Sequence, residues 1–87
     1  MKQWHLSVIH VLTPDNELGY YHTCRQDDRS EATLTREINR DNYFGEGYSF
    51  VLKQNLFEVD SEEDGEKAKA SLVATYRLMN KLVLNKK

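Results

Sequence analysis

Alternation is the feature that most constrains this chain. Every even-numbered position from Trp4 to Leu12, from Leu18 to Cys24 and from Tyr48 to Leu56 is apolar or aromatic, except His10, His22 and Gln54. Successive side chains of a strand point to opposite faces, so a period of two over runs this long predicts three strands sharing one buried face. Two histidines then fall where a core normally carries carbon.

Between the first two runs, Pro14-Asp15-Asn16 supplies turn chemistry and predicts a hairpin. Trp4, Leu6, Val8 and Leu12 form the apolar side of the first strand, and Leu18, Tyr20 and Cys24 make a better buried set than Gly19, Tyr21, Thr23 and Arg25. Even positions must then face even positions. That needs an odd-length loop, for example three residues, because a one-residue slip turns a whole apolar set to water. On the register so drawn, His10 lies opposite His22.

The next segment, about 30–42, is predicted to be a helix. Asp27, Asp28 and Ser30 offer acceptors at its start, with Glu31 three residues after Asp28 as in a capping box, and its apolar stripe is Ala32, Leu34 and Ile38. Tyr43-Phe44-Gly45-Glu46-Gly47 breaks it, and a third strand comes next, over about 48–57. Asp60 with Glu63, or Ser61 with Asp64, then caps a long helix running to about residue 84, in which Ala68, Leu72, Tyr76, Met79 and Val83 recur at helical spacing.

The expected fold is one small α+β domain over 1–87, a three-stranded sheet in the order ββαβα. A helical crossover makes the second and third strands parallel and the first strand central; right-handedness puts both helices on one face. The odd face is then open. It carries Ile9, Val11, Tyr21, Val51 and Phe57, an apolar patch of the kind that marks an interaction site.

Composition agrees with a globular chain: 39% apolar and 30% charged residues lie outside the range of disordered chains. At 87 residues the core is small, burying roughly 60% of the unfolded surface. One cysteine excludes an internal disulfide and points to a reducing compartment. The amino terminus lacks the apolar run of a signal peptide, and no stretch reaches the ~18 apolar residues of a membrane span, so a soluble, cytoplasmic protein is expected. The net charge of −2 hides an asymmetry, −8 over 1–66 against +6 over 67–87, where Lys67, Lys69, Arg77, Lys81, Lys86 and Lys87 meet no acid. Such a tail suits a solvated helix, an acidic partner or nucleic acid.

Candidates for chemistry are few. His10, His22 and Cys24 share the stripe, but a zinc site needs three or four converging ligands and a fourth is missing. His22 and Cys24, two apart on one strand, lie about 7 Å apart. Neither a metal nor a cofactor is expected. The histidines read as core members hydrogen-bonded to Tyr20, Gln54 or backbone, and Cys24 as core filler rather than a nucleophile. Asp60-Ser61-Glu62-Glu63-Asp64-Gly65 imitates the start of a calcium loop, but its twelfth position is Ser71, which offers no bidentate acid, so helix capping is the better reading. Gly45-Glu46-Gly47 lacks the Lys-Ser/Thr of a phosphate loop and reads as a turn. Arg29, Arg36 and Arg40, joined by Arg25, form a row able to contact phosphates, though Asp27, Asp28, Glu31, Glu37 and Asp41 are interleaved with it.

The element order is similar to that of the small nuclease domain named for its Gly-Ile-Tyr and Tyr-Ile-Gly strands. The corresponding places read Val8-Ile9-His10 and Tyr20-Tyr21-His22. The resemblance covers topology and not motif, and carries no catalytic role to this chain. The function expected from sequence is a non-catalytic binding or regulatory module whose partner is protein, another chain or a second copy, through Ile9, Val11, Tyr21, Val51 and Phe57. Nucleic-acid binding through Arg25, Arg29, Arg36, Arg40 and the tail is the first alternative. A small enzyme or metal site around His10, His22 and Cys24 is the second.

Overall fold

The computed structural model describes residues 3–27 and 29–85. Its elements run β1 (Trp4–Leu12), β2 (Leu18–Arg25), α1 (Glu31–Asn39), β3 (Ser49–Val59), α2 (Glu62–Leu78) and β4 (Leu82–Val83). The α+β class holds. The sheet, however, has four strands in the order β3-β1-β2-β4, with β1 antiparallel to both neighbours and β4 parallel to β2.

The hairpin has the expected parity, even facing even, from His5↔Arg25 to Leu12↔Leu18. Its loop is Pro14-Asp15-Asn16. Thr13 N donates to Glu17 O at 2.8 Å, Asn16 N to Thr13 O at 2.9 Å and Glu17 N to Thr13 Oγ1 at 3.1 Å, while Asn16 takes φ 63°. This is a three-residue turn ending in a left-handed residue. Proline has no N–H to donate, so the closing pair is Thr13 with Glu17 rather than Pro14 with Leu18. The pairing of His10 with His22 is thereby corrected: His10 faces Tyr20, and His22 faces Val8.

The first strand is central, and the second and third run parallel on either side of it, as expected. β3 departs from simple alternation. Its register against β1 shifts between Leu6 and Ser7 and again between His10 and Val11, leaving Leu56 and Val51 as extra residues. Each bulge reverses the facing of the strand residues beyond it. Leu52, Gln54, Phe57 and Val59 therefore share the face of the even stripe, while Phe50, Lys53, Asn55 and Glu58 lie on the other.

The helices do not share a face, and the expectation that they do is corrected. Leu34 and Ile38 of α1 bury with Phe44 against Ile9 and Val11 on the odd face. α2 lies on the even face, where Gly65 meets Cys24, Val59 and Trp4, and Tyr76 meets Tyr20 and His22. The reason is β4. The crossover from β2 through α1 to β3 and that from β3 through α2 to β4 move in opposite directions across the sheet, so two crossovers of one hand use opposite faces.

β4 exists because α2 stops six residues before the predicted end. Asn80 takes φ 60°, Lys81 N donates to Tyr76 O and Asn80 N to Arg77 O, both at 3.0 Å, which is the two-bond ending of a Schellman motif. The chain then returns along β2, with Leu84 N on Tyr20 O at 2.8 Å. Ser30 and Ser61 cap the helices through Thr33 N and Asp64 N. The Asp28–Glu31 capping box and the tail lysines Lys86 and Lys87 lie outside the described residues.

Candidate functional site

Seen from the α2 side, β2, β1 and β3 present three side-by-side rows: Tyr20–His10–Leu52, His22–Val8–Gln54 and Cys24–Leu6–Phe57. α2 covers the β2 end of each row. Leu6 and Val8 in the middle are fully buried. The β3 end stands open, with Leu52 43% and Phe57 46% exposed, beside Val51 at its bulge at 47%.

Below Phe57 the Leu56 bulge opens a hollow of about 400 Å³ lined by His5, Leu6, Asn55, Leu56, Phe57 and Glu58. Its rim is polar and already organised. His5 Nδ1 lies 3.0 Å from Glu58 Oε1, and Ser7 Oγ donates to Asn55 Oδ1 at 3.1 Å. Leu56 and Phe57 thus meet His5, Asn55 and Glu58 in one hollow, the mixture of apolar and polar groups that docking surfaces carry. Farther along β3, Phe50 N donates to Asn39 Oδ1 at 2.9 Å, so α1 occupies part of the strand's outer edge.

The partner residues expected from sequence divide. Ile9 and Val11 are buried beneath α1, and Tyr21 packs on the same core with its hydroxyl 3.1 Å from that of Tyr43. Burial and the Tyr43 hydroxyl hold Tyr21 well above the ordinary tyrosine pKa. The premise of an open odd face therefore fails for these three, because α1 occupies it. Val51 and Phe57 remain exposed. The exposure of Leu52 and the bulge hollow are not legible in an alternating pattern, in which Gln54 is the one interruption of the third run.

The arginine row is broken up. Arg29 pairs with Glu37, and its Nε lies 3.7 Å from Asp27 Oδ2. Arg36 on α1 and Arg40 at its C-cap are exposed, while Arg25 stands half-buried at the end of β2.

His10, His22 and Cys24 share one face but make no ligand set: among the described residues, no three or more His, Cys, Asp or Glu side chains are placed to hold a metal ion. His22 is 5% exposed and sits edge-on to Tyr76 at 4.5 Å between ring centroids; His10 meets Tyr20 in the same manner at 4.9 Å. The hydrogen bonds expected for them are missing. Both ring nitrogens of His22 and Nε2 of His10 are buried with no partner among the described residues. Burial, then the Lys69 ammonium, push the His22 pKa below its ordinary value. Burial and Glu66 push the Cys24 thiol up, which disfavours the thiolate a nucleophile needs.

No protein-family model, curated protein or solved structure matches this chain. Among the described residues no helix is long and apolar enough to cross a membrane.

Proposed function

We propose that this protein is a non-catalytic binding module that associates with protein through β3, at Leu52, Phe57 and the hollow beside the Leu56 bulge, a second copy of the chain being the first occupant to test. The supporting observation is the half-covered α2-side face. α2 shields β2 and the middle of the sheet but leaves two large apolar side chains of β3 at 43% and 46% exposure; the His5–Glu58 and Ser7–Asn55 pairs lie across the strand on the opposite face, where the bulge hollow reaches them. Gln54 lies between them, so the open strip is apolar at both ends and polar in the middle, and exposed large apolar side chains on an uncovered sheet face favour association. The face rather than the backbone edge does the docking, because two bulges and the Asn39 side chain blunt the edge against strand addition.

Sedimentation equilibrium over a wide concentration range tests this with wild type, Leu52→Glu and Phe57→Glu. Wild type should self-associate, and either glutamate should weaken that association by tenfold or more with unchanged circular dichroism. A wild type that stays monomeric at the highest concentration ends the homodimer reading. Association unaffected by both substitutions moves the surface elsewhere.

A further inference from the structure

The unpartnered histidine beneath α2 has a consequence for how firmly that helix is held. We propose that α2 is a pH-sensitive flap: protonation of His22 in mildly acidic solution undocks α2 from β2, pivoting at Asn80, while the α1-side core stays folded. The proposal does not depend on what docks on β3.

The geometry supplies three parts. The first is a group whose charged form is disfavoured where it stands, because His22 is 5% exposed and neither ring nitrogen has an acceptor among the described residues. Lys69 and Tyr76 face it from α2, Tyr20 and Cys24 flank it on β2, and His10 lies diagonally on β1. Lys81, just beyond the pivot, lies 5.2 Å over the Tyr20 ring, and Gln54, across Val8 on β3, is uncharged. The Lys69 ammonium is paired to Glu66 at 3.0 Å, so no carboxylate among these neighbours is left to receive a histidinium.

The second part is a weakly held helix. Gly65 is the one buried residue of α2; Ala68, Lys69, Leu72, Val73 and Tyr76, which form its inward face, are half-buried. The third is a core that does not need it: Ile9, Val11, Leu34, Ile38 and Phe44 cluster on the other face without a residue from α2. Beyond the pivot, Leu84 bonds to Tyr20 and packs against that same cluster, which tethers the flap.

The direction of the pH dependence is set by the depressed pKa. Histidine in an open or unfolded chain titrates near 6.5, and His22 in the closed state titrates lower. Well above 6.5 neither state holds the proton and nothing is lost. Below it the open state binds a proton that the closed state refuses, so the opening constant rises up to about tenfold per pH unit until the pH reaches the closed-state value.

Trp4, the sole tryptophan, lies beside Gly65 under the start of α2 and reports undocking. The experiment tracks Trp4 emission and amide hydrogen exchange between pH 7.5 and 5, corrected for intrinsic exchange, in wild type and His22→Phe. The expected result is a red shift with faster exchange across α2 in acid, steady protection in β1 and β2, and loss of the acid step in His22→Phe. If that variant does not fold, Lys69→Met serves instead: removing the ammonium raises His22 toward 6.5 and shrinks the acid step. An acid step that persists undiminished in the variant, exchange in α2 that does not change with pH, or strands that open together with α2 would each overturn the proposal.

Discussion

Substituting Gly65→Ala tests how closely α2 sits on the sheet. In an ordinary helix the change stabilises by about 0.5–1 kcal/mol, because glycine loses more backbone entropy on folding. Here the added Cβ collides with the Cys24 Sγ and meets Val59 Cγ2 at 3.4 Å and Trp4 Cβ at 3.7 Å. Overpacking of that kind costs about 1–3 kcal/mol, so the expected net effect is a loss of roughly 0–2.5 kcal/mol from the same two terms. The decisive quantity is the coupling. In a Cys24→Ala background the sulfur is gone, and Gly65→Ala should stabilise by about 0.5–1 kcal/mol. Urea unfolding monitored by Trp4 fluorescence, on wild type, both single variants and the double variant, yields an expected coupling energy of about 1–3 kcal/mol. If Gly65→Ala stabilises equally in both backgrounds, α2 does not press on Cys24 and its placement is refuted.

Other consequences concern the rest of the fold. Ile38 is 2% exposed in the α1-side core, so Ile38→Ala should cost about 2–5 kcal/mol in thermal or urea unfolding, whereas Ala32→Ser on the exposed side of α1 should change little. Asn80 at φ 60° closes α2; Asn80→Gly should be neutral or slightly stabilising, and Asn80→Val should lower the melting temperature by several degrees, since a β-branched residue resists that backbone. A Cβ on Gly19 would stand 2.8 Å from the Leu84 side chain, so Gly19→Val should release the chain after Asn80 from β2, visible as lost exchange protection at Leu84 N.

Much of the architecture was legible because it rests on local chemistry. The even stripe fixed hairpin parity, Ser30 and Ser61 announced the helix starts, and the order of the first five elements came from periodicity. What escaped depends on single residues whose effect is non-local. Asn80 offered a left-handed helix ending within an otherwise helical pattern. That ending makes β4, and β4 in turn requires α2 to cross the face opposite α1. Leu56 and Val51 as bulges cannot be read from alternation, which only assumes its own continuation. β4 and the two bulges together turn the candidate surface inside out: Ile9 and Val11 lie under α1, and the open apolar side chains are Leu52 and Phe57. His10 and His22 were placed on the correct face, but their lack of polar partners depends on the aromatic rings of Tyr20 and Tyr76, which the pattern could not position.

The docking reading is tested most directly by amide chemical shifts recorded from dilute to concentrated protein at neutral pH. Concentration-dependent shifts should cluster at Val51, Leu52, Gln54, Phe57 and Glu58, with Arg36 on α1 and Arg40 at its C-cap unmoved. Shifts confined to α1, or to Leu78 and Met79 at the exposed end of α2, would contradict it.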